Sequence, residues 1–298
     1  MRIFKYFQNN FLFIKIIHHF DPNVIRKNYA HSFKSNIVEI NALNGIFYVD
    51  INDHLGYRFF INNGFDNFII QLGDALGISK EDILLDIGAN IGTTCVPFSI
   101  SNGAEIIAIE ASKLNASLLL RNAFANNIKL DVHVNCAVDK KIFNEKEWIN
   151  MFHKDGNTGA NSIFETWNPS VLDTTKEYVK TNTIDNIIGN VNLNRIKLIK
   201  LDVEGSESIV LRSSELLLEL NIPIVFEYRS DLNTEENLNN NKELIEILEK
   251  NFFLYGIKSE KNIFTLIDFI KSNSYENAIA IPKKSKDEYL KKIKKYTA

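Results

Sequence analysis

The sequence predicts an α/β protein built on a mostly parallel, doubly wound sheet, with an antiparallel closing strand and an N-terminal extension. Three observations predict it. An apolar run at 83–87 feeds the turn Gly88-Ala89-Asn90-Ile91-Gly92, after which a helix can start; this is the pattern of a buried parallel strand and a tight strand-to-helix turn. A second apolar run, 106–109, ends in Glu110. Short apolar runs then alternate with segments of helical periodicity, which implies parallel strands joined by right-handed crossovers.

In chain order, residues 1–20 carry Phe4, Phe7, Phe11, Ile14 and His18 at three- or four-residue steps. They read as an amphipathic helix packed on the domain, with a membrane-surface or partner-binding helix as the alternative. Charged and amide residues interrupt the run, so no transmembrane segment or signal peptide is expected. Residues 21–35 read as a polar linker with helical content. Apolar runs on either side of Asn44-Gly45 predict a hairpin over 37–51. A strand is expected at 57–61. A helix follows over 65–77, with Phe65, Phe68, Ile69, Leu72 and Leu76 on one side and Gly77 as its cap.

The core pattern follows. A strand at 83–87 leads to a helix through Ile100, and a strand at 106–109 to a helix at 115–127 whose apolar face is Ala116, Leu119, Leu120, Ala123 and Phe124. A third strand is expected at 132–138. Residues 139–178 break the rhythm and predict a functional loop or lid, or a small satellite core around its aromatics; His153 there reads as solvated. A short strand at 179–183 and helical 184–188 precede a strongly apolar strand at 196–201, which carries Lys197 and Lys200 and ends in Asp202-Val203-Glu204-Gly205. A helix at 207–220 and a strand at 222–226 lead to Glu227-Tyr228-Arg229. The rest predicts a polar, mobile loop at 231–241, a helix at 242–250, strands at 252–257 and 278–281 with helical 263–270 between them, and a solvated lysine-rich helix from 283. The expected division is an extension over 1–78, the main domain over 79–282 and a basic tail over 283–298.

The chain has 298 residues, a formal net charge of −3 and two cysteines, Cys95 and Cys136. That charge gives no electrostatic case for nucleic acid. Both cysteines lie in apolar contexts and read as buried free thiols in a reducing, cytoplasmic setting.

The turn and the acid after the second strand predict a nucleoside site. Gly88 lets the chain turn and lets a ligand come close; Gly92 lets the helix approach the strand; Asn90 tolerates a positive φ. Glu110 stands where it accepts hydrogen bonds from ribose hydroxyls. The spacing is not the G-x-G-x-x-G of a pyrophosphate turn. Asp86, Glu110, Asp202, Glu204 and Glu227 all fall at the carboxyl ends of predicted strands, where open α/β sheets bind ligands. Gathering carboxylates needs facing cations or hydrogen-bond donors. The cationic sulfonium and ammonium of S-adenosylmethionine meet that need, whereas the phosphates of a dinucleotide would be repelled. A divalent metal held by Asp202, Glu204 or Glu227 is the alternative; no dedicated metal site is expected.

Asp86-Ile87-Gly88-Ala89-Asn90-Ile91-Gly92, Glu110, Ala137-Val138 and Asp202-Val203-Glu204-Gly205-Ser206-Glu207 resemble the FkbM-type methyltransferases over about residues 84–228. The resemblance implies a Rossmann-like class I methyltransferase fold, S-adenosylmethionine as donor and a hydroxyl as acceptor, on a sugar, glycan or secondary metabolite. It implies a donor site at Asp86, Gly88, Ala89, Asn90, Gly92, Glu110, Ala137 and Asp202, and chemistry at Glu204, Asp202 and Glu227. Asp202 would orient the donor, Glu204 would orient or deprotonate the acceptor, and Glu227 would support it. The plainer reading of Glu204 is that it only ties down the loop by accepting backbone N–H bonds. Glu110-Ala111-Ser112 lacks the proline that many relatives have there. A nicotinamide-dependent oxidoreductase and a non-catalytic binding protein on a degenerate scaffold are the alternatives.

Overall fold

The computed structural model describes residues 37–294 apart from 63, 65–67, 155, 166–173, 213 and 261–262. The predicted helix at 1–20 and linker at 21–35 lie outside these. Among the described residues no helix is long and apolar enough to cross a membrane.

The central sheet has eight strands: β3 (Ile83–Ile87), β4 (Glu105–Ile109), β5 (Leu130–His133), β9 (Ile196–Leu201), β10 (Ile224–Tyr228), β11 (Phe252–Glu260), β12 (Ile263–Asp268) and β13 (Tyr275–Pro282), in the order β12-β11-β13-β10-β9-β3-β4-β5. The five strands from β5 to β10 pair in parallel, while β13 is antiparallel to both β10 and β11. The chain starts at β3, runs outward through β4 and β5, then crosses back to β9. The point where the order reverses lies between β3 and β9, and there an open α/β sheet opens a crevice. β3 is buried along its whole length, as a strand covered on both faces must be.

One apolar cluster unites one face of the sheet with the hairpin β1 (Ile37–Ala42) and β2 (Gly45–Asp50) and with the helices α1 (His54–Asn62), α2 (Phe68–Leu76), α3 (Cys95–Asn102) and α4 (Lys113–Ala125). The other face packs on α6 (Ile184–Ile188), α7 (Glu207–Leu211), α8 (Glu215–Glu219) and α9 (Glu235–Leu248). The hairpin is fastened by two asparagines, Asn122 of α4 and Asn126, which caps that helix. Asn122 accepts from Tyr48 N at 2.6 Å and Asn126 from Ile46 N at 2.8 Å. The terminal helix α10 (Lys286–Lys292) is solvated, but Ile293 after it is fully buried.

Several local expectations are corrected. Residues 57–61 belong to helix α1, because Asp53 caps its start, accepting Leu55 N at 2.9 Å, and the cap outweighs the β-preference of the aromatics. The third strand stops at His133. Cys136–Ala137 (β6) leaves the main sheet and pairs instead with β8 (Thr174–Asn182), which also pairs antiparallel with β7 (Trp148–Lys154). The described residues of the 139–178 segment are a short helix, α5 (Lys140–Glu145), and strands of this small second sheet, with a satellite core around Val138, Met151 and Val179, the alternative that its aromatics suggested. Its pattern was masked because Trp148 and Tyr178 stay exposed. The helix expected at 207–220 is two helices, broken before Ser214, a residue type that competes for backbone bonds.

Helix α9 starts at Glu235, capped by Thr234, so the loop at 231–241 is much shorter than expected. Its buried Asn237, Asn240 and Asn241 look like loop residues in sequence but tie the helix to neighbouring backbone and to Glu207. Residues 263–268 form strand β12 rather than a helix, paired to β11. Leu120 and Phe124 of α4 are exposed, so its buried face is Ala116, Leu119 and Ala123 with Asn115 and Asn122. The hairpin turn itself is Leu43-Asn44.

Candidate active site

One cavity of about 660 Å³ opens at the carboxyl ends of the parallel strands. Gly88, Ala89, Asn90, Glu110 and Ala137 line it on one side, and Asp202, Glu204 and Glu227 on the other. Asp86 and Gly92 are not on its wall.

The turn after β3 is held from within. Gly88 N and Ala89 N both donate to the Ile109 carbonyl, at 2.8 and 3.0 Å, and Asp202 N donates to Ile87 O at 3.0 Å. Gly88, Asn90 and Gly92 have φ of 86°, 51° and 85°. A side chain at Gly88 would collide with the Asp202 carbonyl, and one at Gly92 would meet Leu119 at 2.6 Å. Gly88 thus also serves close packing between β3 and the end of β9, and Gly92 packing between the turn and α4. Glu110 sits beneath the turn. Its Oε2 accepts Asn90 N at 2.8 Å and its Oε1 accepts Ser112 N at 2.9 Å. Burial pushes its carboxyl up to about 7, against the lowering effect of these bonds. A carboxylate has about four lone-pair positions, so capacity remains for another donor beyond these two bonds and the Asn115 side chain.

Asp86 lies fully buried under the cavity, on the sheet face it shares with Lys200, its cross-strand partner. Burial raises its carboxyl, while Lys200 and the Cys95 thiol pull it back. Its two oxygens have no conventional hydrogen-bond partner. Cys95 and Cys136 are buried free thiols, as expected.

The opposite wall is crowded with charge. Oxygen atoms of Asp202, Glu204 and Glu227 lie within 4.8 Å of one another, a spacing at which one cation could be shared. Burial, then the charges of Glu204 and Asp202, push the Glu227 carboxyl well above the usual range. Glu227 sits at an irregularity of pairing between β10 and β13, which slips between Phe226 and Tyr228. Sequence reasoning missed the chain's own cation here. Lys200 Nζ donates to Asp202 Oδ2 at 2.8 Å. Burial favours its neutral form, but Asp202, Asp86 and Glu227 outweigh that and hold it above the ordinary lysine range. The available signal was a lysine of the same parity as Asp202, unlike Lys197, in a strand whose remaining residues are apolar. Lys200 meets part of the charge demand first assigned wholly to a ligand.

Glu204 is a non-glycine residue at φ 51°, followed by Gly205 at 95°. The left-handed region is unfavourable for a residue with a β-carbon, by roughly 1–2 kcal/mol. The loop that holds it there is tied by a different acid. Glu207, 2% exposed, accepts Val203 N at 3.0 Å and Gly205 N at 3.3 Å. Ser162 Oγ donates to the Glu204 carbonyl at 2.7 Å. Glu207 thus ties down this loop, and Glu204 lines the cavity.

Two further segments join the wall. The 156–162 stretch crosses from β7 and is anchored by Thr158, whose carbonyl accepts from Asn90 and Asn115 side chains, both at 3.4 Å. His153 Nε2 lies 2.9 Å from Glu177 and is absent from the cavity wall. From upstream, α1 contributes His54, Leu55 and Arg58.

No curated protein matches the chain. Among solved structures it is similar to an O-methyltransferase from Bacillus cereus in complex with SAH, at 13% identity, covering 71% of this chain and 77% of that one, with a TM-score of 0.41. It is similar to M. jannaschii TYW2 in complex with AdoMet, at 11% identity, 83% and 86% coverage and a TM-score of 0.39. It also resembles the bifunctional kinase-methyltransferase WbdD, at 14% identity and a TM-score of 0.40, covering 70% of this chain and 36% of that one. At these values the likeness goes no further than general fold. The family model for the methyltransferase FkbM domain matches residues 86–293, from the first acid of the turn to the buried Ile293. That match spans well over half of the sequence, and the chain belongs to the FkbM methyltransferase domain family.

Proposed function

We propose that the chain transfers a methyl group from S-adenosylmethionine to a hydroxyl oxygen of a sugar, glycan or secondary metabolite. The observation that carries this reading is the convergence of Asp202, Glu204 and Glu227 on the cavity that the turn at 88–92 and Glu110 also line. S-adenosylmethionine supplies a methyl group on a positively charged sulfur. Glu110 accepts the ribose hydroxyls with its remaining lone pairs, and Ala137 contributes to the wall of the nucleoside pocket. Asp202 faces the ammonium end of the donor.

The acceptor hydroxyl lies against Glu204 and Glu227. As the oxygen–methyl bond forms, the carbon–sulfur bond breaks and its electron pair stays on sulfur. The hydroxyl proton passes to Glu204, and Glu227 supports the charge arrangement. Much of the acceleration in such a displacement comes from holding the two reactants in line. A poised base adds to it. Family membership removes the support for the nicotinamide-dependent alternative.

The test is transfer from donor labelled on the methyl group to a panel of hydroxylated sugars, glycans and polyketide-like alcohols. The expected product is an alkali-stable methyl ether. Binding of S-adenosylhomocysteine with no transfer to any oxygen, nitrogen or carbon acceptor would favour the non-catalytic alternative. Turnover abolished by a chelator and restored by a divalent ion would give the three acids a metal-holding role in place of proton removal.

A further inference from the structure

This inference rests on the methyltransferase reading and names the class of its acceptor. A second cavity, of about 680 Å³, lies beside the first, where β11 ends and β13 begins. It shares Phe68, Ser274, Glu276 and Asn277 with the first cavity. Neither the donor turn, nor Glu110, nor any of the three acids lines it.

The shared rim is built by a break in strand pairing. β10 and β13 pair at Phe226 and Ala278, and again at Tyr228 and Tyr275. One residue of β10, Glu227, thus stands against two of β13, Glu276 and Asn277. That is the two-against-one count of a β-bulge, a feature that re-aims side chains beside functional sites. In a regular strand neighbouring side chains point to opposite faces. Here both neighbours line both cavities. Ser274 before them is fixed in place: its Oγ donates to Asp231 Oδ1 at 2.7 Å and accepts Asp231 N at 2.9 Å. The bulge therefore sets a polar rim directly beside Glu227, against which the acceptor hydroxyl was placed above.

The first cavity takes the donor and the reacting hydroxyl. The second is left for the group that carries that hydroxyl. Phe68, Ile257 and Ile267 give it an apolar patch, and Ser259, Ser272 and Asn273 add hydroxyl and amide groups to those of the rim. A pyranose ring presents C–H groups on its faces and hydroxyls around its edge. Those hydroxyls both donate and accept, as amide and hydroxyl side chains require. An apolar polyketide chain would take water from the same groups and return no hydrogen bond. The volume falls within the usual range for ligand pockets, about 300–1,000 Å³. We propose that the second cavity binds the sugar next to the methylated one, so that the acceptor is a glycan of at least two units and not a single sugar or a secondary metabolite.

The test begins with calorimetric titration of the full chain with S-adenosylhomocysteine. Failure of the parent to bind it overturns the donor reading, and this inference with it. Methyl transfer from labelled donor is then measured on the methyl glycosides of the common hexoses and on their di- and trisaccharides. The expected kcat/KM for the best disaccharide is about 10- to 100-fold above that of its terminal methyl glycoside, with the gain in KM, as a few added hydrogen bonds would supply. Asn273→Trp fills the second cavity and removes the gain, so that the two acceptors are used alike, while S-adenosylhomocysteine binds as before. Should that variant lose S-adenosylhomocysteine binding, Asn273→Ala replaces it, with KM for the disaccharide raised about 2- to 10-fold. Three results overturn the inference and leave the donor reading standing: equal use of disaccharide and glycoside by the parent, transfer confined to acceptors without a sugar, and donor binding with no transfer to any glycan. An equal loss on both acceptors in the variant would mean a structural effect and overturn it too.

Discussion

The two walls of the cavity handle their carboxylates in opposite ways. On the β3–β4 side, Glu110 is buried and both of its oxygens accept backbone N–H groups of the turns they support. On the β9–β10 side, three carboxylates crowd together on one wall, with Lys200 and Arg229 beside them as compensating cations. On the first wall charge builds the backbone. On the second, other groups build the backbone, Glu207 and Ser162 among them, and leave Glu204 in a strained left-handed conformation with its side chain at the cavity. Strain of this kind persists only where the surroundings over-determine it, and it gathers at functional sites. On the function proposed above, the first wall holds the donor and the second meets the acceptor.

The sharpest break of this comparison is Glu204→Gln. It keeps shape and removes the proton acceptor, so turnover on an identified hydroxyl acceptor falls by about 10²–10⁴-fold, the usual contribution of general-base catalysis. Donor affinity, measured by titration, stays within a few-fold of the parent. Turnover within a few-fold of the parent would remove Glu204 from proton transfer and equalise the two walls.

Lys200→Met tests what keeps the acidic wall folded. Removing one partner of a buried charge set leaves the others uncompensated, at a cost of about 3–5 kcal/mol. Urea unfolding at pH 7 is expected to show this loss, and at pH 5 a smaller one, since Glu227 and Asp86, both held above the usual carboxylate range, take up protons as pH falls and need the ammonium less. An equal loss at both pH values would point to packing of the lysine stem instead.

Much of this site was legible because its elements are the most local ones. A buried strand, a glycine-bracketed turn and an acid at the next strand end are each set within a few residues, as is the run from Asp202 to Glu207. What escaped was set by distant partners. Lys200 looks like an oddity in an apolar strand until β3 brings Asp86 beside it. Asn122, Asn237 and Asn240 have low helix propensity, and each is buried within a helix because it ties down another segment. Residues 263–268 carry no period strong enough to resist pairing with the β11 edge. The upstream module could be assigned to the cavity only once Asp53 was seen to reach Thr158, a residue 105 positions away.

The smallest expected effect lies on the donor wall and is read through pH. Glu110 rises from 4.5 to about 7 on burial. A carboxyl whose folded value exceeds its unfolded one stabilises the fold fully below the unfolded value, and that contribution is lost as pH climbs through the folded value. The apo protein therefore loses stability between pH 4.5 and about 7 on account of Glu110, with Glu227 and Asp86 pushing in the same direction. Of the groups that act on Glu110, Asp86 raises it through its charge, the Cys136 thiol is pushed up to about 12 and stays neutral throughout, and Ser112, Asn90 and Asn115 do not titrate. Ribose hydroxyls donate to the ionised carboxylate, so donor binding should draw the Glu110 value down and release a proton. Affinity for S-adenosylhomocysteine then rises as pH goes from 6 to 8, by about threefold to tenfold if Glu110 alone is linked. Glu110→Gln flattens that profile, and loses about one to two decades of affinity at pH 8 with the charged acceptor gone. A parent profile that is already flat, or a slope that survives in Glu110→Gln, would leave Glu110 as a support of the turn and nothing more.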